Sequence, residues 1–361
     1  PGVGSLKKTG YPRYTLQYVH QKIIIYEGNC DMKYVTLGKT GLTVSKIGLG
    51  GIPIQKNTAE DVKELINSLQ EQGVNYIDSA RGYTVSEQLL GEALEGRRDR
   101  WVIATKSMAR TREAMEQDIE ISLSNFRTGY IDLYQVHNPG ESDFETVIGP
   151  GGALEALLNA KTAGKIGHIG VTAHSAKVFE KALECDWVET IMFPYNIVES
   201  QGSELIARCT EKNIAFIAMK PLAGGAIEDA SLALRYVCAN PDVTIVIPGM
   251  FHKDEALQNV SAILSDAPVT EEEQAAFQQV RDALGTNFCR RCNYCQPCSA
   301  GISISSVFLF AGYLQRYDLG AWGYDRYRSL KVLPDACIDC GLCEERCPYH
   351  LPIREMLKKC E

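Results

Sequence analysis

Four side chains with complementary proton chemistry end, or closely follow, three short apolar segments in the first half of the chain. Asp78 lies near the end of YIDSA (76–80) and Tyr83 follows five residues later. Lys106 closes VIATK (102–106) and His137 closes DLYQVH (132–137). A phenol with an unperturbed pKa of about 10 donates its proton poorly at neutral pH. A neighbouring ammonium favours the phenolate and lowers that pKa. A carboxylate beside the lysine keeps the ammonium charged and in place, and an imidazole can hydrogen-bond a carbonyl oxygen and orient it. Such a set suits protonation of an oxygen while hydride arrives at the adjoining carbon. Any one of them alone reads equally well as a structural hydrogen-bonder at a strand end.

The second chemical signal is cysteine. The chain has 13, and eight of them fall between Cys289 and Cys347. Cys289, Cys292, Cys295 and Cys298 read C-x₂-C-x₂-C-x₂-C. Cys337, Cys340, Cys343 and Cys347 read C-x₂-C-x₂-C-x₃-C and are followed by Pro348. Disulfide scaffolds are short and cysteine-rich throughout; here a long chain with scattered cysteines precedes one dense cluster. That distribution predicts a metal-binding module in a reducing compartment, the cytoplasm. Four-cysteine sites also suit zinc, although zinc ribbons show two separated C-x₂-C pairs.

The elements that must position these groups alternate regularly. VSKIGLGG (44–51), YIDSA, VIATK, DLYQVH, IGHIGVTA (166–173), TIMFPYN (190–196), AFIAMKP (215–221) and VTIVIPG (243–249) read as eight strands. Each precedes a helical stretch. In the first, Thr58 and Asp61 form a helix-start pair, and Val62, Leu65, Ile66 and Leu69 share one face. Later stretches carry Met115, Ile119, Leu123 and Phe126, then Leu154, Leu157 and Leu158. Continuous apolar strands alternating with helices predict a parallel sheet buried on both faces. Eight such units in about 250 residues fit a (β/α)₈ TIM barrel, an α/β fold whose catalytic groups sit at the C-terminal ends of the strands. GLGGIP (48–53) lacks the G-x-G-x-x-G turn of an open dinucleotide-binding sheet. Composition shifts at NFCRRCNYCQPC, so the barrel is expected over 32–285 and a small, mainly helical module over 286–361. Residues 1–31 carry no usable pattern and read as an N-terminal extension upstream of a start at Met32, not as native structure.

The four groups and their surroundings resemble the aldo-keto reductase family through GVNYIDSARGYTVSE (73–87), VIATK (102–106) and IDLYQVH (131–137). The resemblance covers about residues 33–284. It implies that NAD(P)H delivers hydride to a small-molecule carbonyl substrate and that Tyr83 is the general acid. His137 would orient the carbonyl, with Lys106 and Asp78 tuning Tyr83. The implied cofactor positions match less closely. Thr172 keeps the hydroxyl of the family's Ser-Asn pair, but Ala173 lacks the amide. Met192 stands where a glutamine is common, and Met219 where an aromatic ring often stacks on nicotinamide. Pro221, Leu222 and Gly224 follow in the family's manner. NADP-preferring members place a lysine and an arginine where this chain has Gly249 and Glu255. Lys253 offers partial compensation, and Asn259 matches an adenine contact. NADP(H) and NAD(H) therefore both remain open.

The second cysteine motif matches the ligand run of bacterial ferredoxins, in which the fourth cysteine reaches the other of two clusters. That resemblance implies two [4Fe–4S] clusters, one held by Cys289, Cys292, Cys295 and Cys347, the other by Cys337, Cys340, Cys343 and Cys298. The first motif departs from the pattern in its last spacing and in Ser299, where proline is usual. Between the motifs, Val307, Phe308, Ala311 and Leu314 have helical spacing. Tyr313, Tyr317, Trp322, Tyr324 and Tyr327 are expected in the module's core, and Arg290 and Arg291 on a solvated surface, with docking of an acidic redox partner the alternative. The module would replace the family's C-terminal substrate loop and cap the barrel mouth. Gly149-Pro150-Gly151-Gly152 predicts a tight turn there, not a large lid.

The net charge of −8, from 45 acidic and 37 basic residues, argues against a nucleic-acid binder. No apolar run approaches the ~20 residues that span a bilayer. Three functions stay open: a carbonyl reductase with attached clusters, an electron-transfer enzyme fed by them, and a non-catalytic sensor or scaffold. A possible redox partner protein goes with the second.

Overall fold

The structure, a computed structural model, describes residues 32–360 except 266, 286, 317 and 318. Residues 1–31, read as an N-terminal extension, thus fall outside the described residues, as does Tyr317. The barrel and the cysteine-rich module belong to one compact unit.

Ten strands are present among the described residues. β1 (Tyr34–Thr36) and β2 (Thr43–Ser45) form an antiparallel hairpin. The others form one parallel sheet in sequence order: β3 (Leu49–Gly50), β4 (Tyr76–Asp78), β5 (Val102–Ser107), β6 (Ile131–His137), β7 (Ile166–Thr172), β8 (Thr190–Pro194), β9 (Ala215–Met219) and β10 (Ile245–Ile247). The Gly48 and Gly50 amides donate to the carbonyls of Val246 (2.9 Å) and Pro248 (2.8 Å), joining first strand to last. The expected eight-stranded barrel is therefore the observed one, with one difference. The run 44–51 is not a single strand, because Ser45 Oγ bonds the Ile47 carbonyl at 2.7 Å and turns the chain from hairpin into wall. Leu37 and Val44 of the hairpin region pack with the barrel interior.

Strand periodicity places the chemistry. Side chains alternate across a strand, and Tyr76, Val102, Ala104 and Leu133 belong to the interior cluster with Met192, Ala215, Ile217, Met219, Ile245 and Ile247. Asp78, Lys106 and Gln135 continue those inward rows at the C-terminal ends. The outward rows pack on the helices: Val62, Leu65, Ile66 and Leu69 of helix Ala59–Glu71 are fully buried. Thr58 and Asp61 close a reciprocal cap at its start. Helix Ala153–Thr162 buries Leu157 but leaves Leu158 exposed. A further helix, Glu141–Ile148, precedes the glycine turn, where a side chain on Gly152 would meet the Thr146 carbonyl at 2.3 Å. The tight turn is what lets that helix end there.

In the module, helices Ile304–Gln315, Gly320–Arg328, Leu342–Glu345 and Ile353–Lys358 surround the cysteines. Val307 and Ala311 are buried as expected, and Tyr313 packs on Trp322 with ring centroids 4.9 Å apart. Tyr327 packs partly against the module core. Tyr324 does not: it is 51% exposed.

Arg290 and Arg291 correct the expectation of a solvated surface, since both are buried. Arg290 Nε donates to the Val198 carbonyl at 2.9 Å, and its guanidinium lies 3.9 Å from the Tyr349 ring centroid. Arg291 Nη2 bonds Glu199 Oε1 at 2.5 Å, a carboxylate with no solvent exposure. Phe288 joins Ile197, Val198, Ala223 and Phe277 in a separate apolar cluster. The segment where composition shifts is thus packed onto the barrel.

Candidate active site and cluster cavities

Strand register brings the four predicted groups to one end of the barrel. Asp78 pairs with Ala104, Lys106 with Gln135, and His137 with Thr172 across neighbouring strands. Lys106 Nζ bonds Asp78 Oδ1 and also the Ser79 carbonyl at 2.7 Å. Gln135 Nε2 donates to Asp78 Oδ2 at 2.9 Å. Both charged groups are almost fully buried. Burial opposes charge on each: it raises the Asp78 carboxyl and lowers the Lys106 ammonium, while their mutual attraction pulls both back. Gln135 went unremarked in the sequence. Its inward position two residues before His137 was the available signal.

Tyr83 sits in the turn after β4, with its amide bonded to the Ala80 carbonyl at 3.0 Å. Its ring centroid is 4.8 Å from Lys106 Nζ. The His137 ring stands perpendicular to it, 6.1 Å between centroids. Burial, then Lys106, Arg110, Lys220 and Arg326, hold the His137 imidazole well below its usual pKa, so it is neutral at physiological pH. Its Nδ1 is buried without a partner. The arrangement can lend a proton from a phenol beside an ammonium and a hydrogen bond from a neutral imidazole.

The positions read as cofactor contacts lie around the same end. Thr172 Oγ1 accepts from the Asn138 amide at 3.0 Å, leaving its own proton to donate. Asn138 Oδ1 in turn lies 3.0 Å from His174 Nδ1, and His174 Nε2 is buried and unpartnered. Asn138 and His174 were not anticipated; both sit one or two residues past a strand end. Ala173 is fully buried, its amide bonded to Met192 O at 2.9 Å. Met192 and Met219 pack in the barrel interior, with Met219 at the end of β9. Pro221, Leu222 and Gly224 form the following loop, where Lys220 has φ +56° and its carbonyl accepts from Asn196 Nδ2 at 2.9 Å.

Farther round, Gly249 faces Pro53, whose Cγ would lie 2.7 Å from an added Cβ. Helix Lys253–Leu264 begins after His252, which makes no side-chain cap. Glu255 Oε2 instead accepts the Phe251 amide at 2.5 Å, and Lys253 is paired with Glu64 at 2.5 Å. Asn259 is buried on the helix's inner face.

The eight cysteines line two cavities. One is lined by Cys289, Cys292, Cys295 and Cys347, the other by Cys298, Cys337, Cys340 and Cys343. Ile304 faces both. Burial pushes the Cys289 thiol up to about 11 and Cys295 up to about 12. Cys340 is lowered, first by a backbone hydrogen bond at Leu342 and then by Ser299. Thiols that are neutral when free must lose protons to become ligands.

Models of known families match both parts. The Aldo/keto reductase family matches residues 46–232, and a 4Fe-4S dicluster domain matches 288–352. The chain is 30% identical over 201 residues to the aldo-keto reductase YhdN of Bacillus subtilis, a match spanning 50% of this chain and 59% of that protein. It is 24% identical to L-galactose dehydrogenase of Arabidopsis thaliana over 278 residues, 63% of this chain and 86% of that one. The solved structure of aldo-keto reductase AKR11C1 from Bacillus halodurans (holo form) superposes with a TM-score of 0.61 at 25% identity, covering 69% of this chain and 96% of that chain.

Proposed function

The chain belongs to the aldo/keto reductase family and carries a 4Fe-4S domain, and from that premise we propose that this oxidoreductase reduces an aldehyde or ketone with Tyr83 as proton donor. The observation that carries the reading is the Tyr83 ring 4.8 Å from Lys106 Nζ, with Lys106 held on Asp78. Bound at the barrel mouth, a reduced nicotinamide nucleotide supplies hydride. Tyr83 protonates the carbonyl oxygen as charge develops there. Lys106 stabilises the phenolate left behind, and Asp78 and Gln135 keep that ammonium in place. His137, neutral, donates a hydrogen bond that orients the oxygen.

The chain's own groups fit such a nucleotide. Thr172 and His174 keep unused hydrogen-bonding capacity beside His137, and the start of helix Lys253–Leu264 offers amides to phosphate. A carboxylate at Glu255 and a Lys253 already engaged by Glu64 favour NAD(H) over NADP(H). Two four-cysteine cavities favour two [4Fe–4S] clusters with the cross-paired fourth ligands, Cys347 and Cys298.

Tyr83→Phe tests the reading. It should lower kcat about 10²–10⁴-fold with nucleotide affinity unchanged in a fluorescence titration. A variant within about tenfold of the parent sinks it.

A second reading has its own observation. Arg291, in the Cys289–Cys292 loop, is bonded to Glu199 and through Asn196 to the Lys220 carbonyl. The cluster loop therefore touches the barrel mouth, as an electron-transfer enzyme requires. Bleaching of the anaerobic visible absorption by NADH would favour it, and an unchanged spectrum would exclude it.

A further inference from the structure

Tyr83 sits in a turn with a strained backbone. Thr84, the next residue, has φ +41°, a left-handed conformation that is unusual for a β-branched side chain. Contacts hold the two ends of the turn: Ser79 Oγ lies 2.9 Å from Ser86 Oγ, which also donates to the Gly51 carbonyl at 2.9 Å. Its middle is gripped by Arg81. The Arg81 amide donates to the Lys106 carbonyl at 3.0 Å. Its side chain donates from Nη1 to Glu87 Oε2 at 3.1 Å and from Nε to Asp118 Oδ1 at 3.3 Å. Glu87 belongs to helix Ser86–Ala93 and Asp118 to helix Arg112–Asn125.

Each of these carboxylates also holds a residue beside Lys106. Thr105 Oγ1 donates to Glu87 Oε1 at 2.7 Å, and Ser107 Oγ donates to Asp118 Oδ2. Alternation along β5 turns Thr105 and Ser107 away from the barrel interior and Lys106 toward it. Glu87, with its side chain 1% exposed, accepts further hydrogen bonds from Ser122 and Asn125, both at 2.9 Å. The residue two before the phenol and the two residues flanking the ammonium are thus bonded to one pair of carboxylates, and Arg81 bridges that pair. None of these groups is used in the proton chemistry derived above.

We propose that Arg81 is a positioning residue: by bridging Glu87 and Asp118 it locks the Tyr83 turn onto the Lys106 strand and so sets the approach of phenol to ammonium. It acts through Tyr83 and not on the substrate. The kinetic part of its test rests on the carbonyl-reduction reading; the hydrogen-exchange part does not.

The test uses the anaerobic, cluster-loaded full chain and the variants Arg81→Met and Arg81→Lys. Lysine keeps the charge but lacks the fork that bridges two carboxylates, so it separates geometry from charge. Misplacing a reacting group by about 1 Å costs about 10²-fold in rate. Both variants should therefore lower kcat by about 10- to 100-fold, with KM and nucleotide Kd within about twofold of the parent. Added to Tyr83→Phe, Arg81→Met should change kcat by less than about twofold, because it works through the phenol. Hydrogen exchange at the Tyr83 and Ser86 amides should quicken about tenfold in both variants. Asp118→Asn leaves the Glu87 contacts in place and covers an Arg81 variant that fails to fold; the same changes are expected there at about threefold. Parent kcat in Arg81→Lys overturns the proposal in favour of charge alone. A full further loss on top of Tyr83→Phe overturns it in favour of general destabilisation, and kcat and exchange unchanged in every variant leave no clamp at all. If the parent reduces no aldehyde or ketone, or Tyr83→Phe keeps its activity, the carbonyl reading fails by itself. Hydrogen exchange then decides the clamp: quickening in the variants supports it, and parent-like exchange refutes it.

Discussion

Replacing Glu199 by glutamine tests how the module is held. Glu199 has no solvent exposure and Arg291 is 9% exposed, with 2.5 Å between their charged atoms. Glutamine keeps the volume and can still accept a hydrogen bond, but it removes the charge of the carboxylate that faces the buried guanidinium. Breaking one partner of a buried pair costs about 3–5 kcal/mol, and glutamine should fall at the lower end. Against a whole-protein stability of about 5–15 kcal/mol, that is a large fraction. The assay is anaerobic urea unfolding, followed by far-ultraviolet circular dichroism and by cluster absorbance. We expect Glu199→Gln to lower stability by about 3 kcal/mol. The double variant Glu199→Gln, Arg291→Met should recover most of the loss, because the pair is removed together. A single variant within about 1 kcal/mol of the parent, or a double variant that simply adds the two losses, would refute the buried ion pair as the anchor. Unchanged visible absorption in Glu199→Gln separates this from a failure to assemble clusters, since the substitution is on the barrel side.

Three further outcomes are expected. Cys298→Ser should leave one cluster intact and reduce bound iron from about eight to about four atoms per chain; loss of all iron or none would contradict cross-paired ligands. Glu255→Arg should lower the KM for NADPH more than that for NADH, since a carboxylate that repels a 2′-phosphate becomes a cation, and equal changes would remove Glu255 from the nucleotide's surroundings. Burial raises the Glu189 carboxyl, but hydrogen bonds from His168, Lys161 and the Ile169 amide outweigh it and bring it to about 2. Its folded pKa is depressed, so its stabilisation is complete above the ordinary carboxylate pKa and is lost as pH falls from about 4.5 toward about 2. In Glu189→Gln that acid-dependent part of the urea midpoint should flatten.

The barrel was legible because its strands are short apolar runs separated by capped amphipathic helices, a pattern set by local periodicity. The tetrad was legible for the same reason: once β4, β5 and β6 are placed, their last inward residues must be Asp78, Lys106 and the Gln135–His137 pair. What escaped depends on contacts between segments distant in sequence. Arg290 and Arg291 look like surface residues beside a metal motif, and only the fold brings Val198 and Glu199, 92 residues away, against them. Ser45 broke a strand through one side-chain bond that periodicity does not register. Asn138 and His174 pair across two strand ends, which single-strand patterns cannot show. Tyr324 fell on the outer face of a helix whose inner face is set by Gly323 against Tyr313 and Leu314.

Hydride chemistry moves two electrons and a cubane moves one, so coupling them calls for a carrier such as a flavin. The packing offers a role for the clusters that needs none. Helices Ile304–Gln315 and Gly320–Arg328 lie between the two cysteine motifs in sequence, and Ile304 faces both cysteine cavities. Arg316, at the end of the first of these helices, donates to the Gly224 carbonyl, while the first motif sends Arg291 into Glu199. Fixing eight cysteines therefore fixes two arginines against the barrel. If this mechanical role is sufficient, NADH leaves the anaerobic cluster spectrum unchanged, yet removing iron from the full chain raises the KM for the carbonyl substrate. Iron-free protein with the parent's KM, or clusters bleached by NADH alone, would show that the module acts by passing electrons or apart from the barrel, not by shaping its mouth.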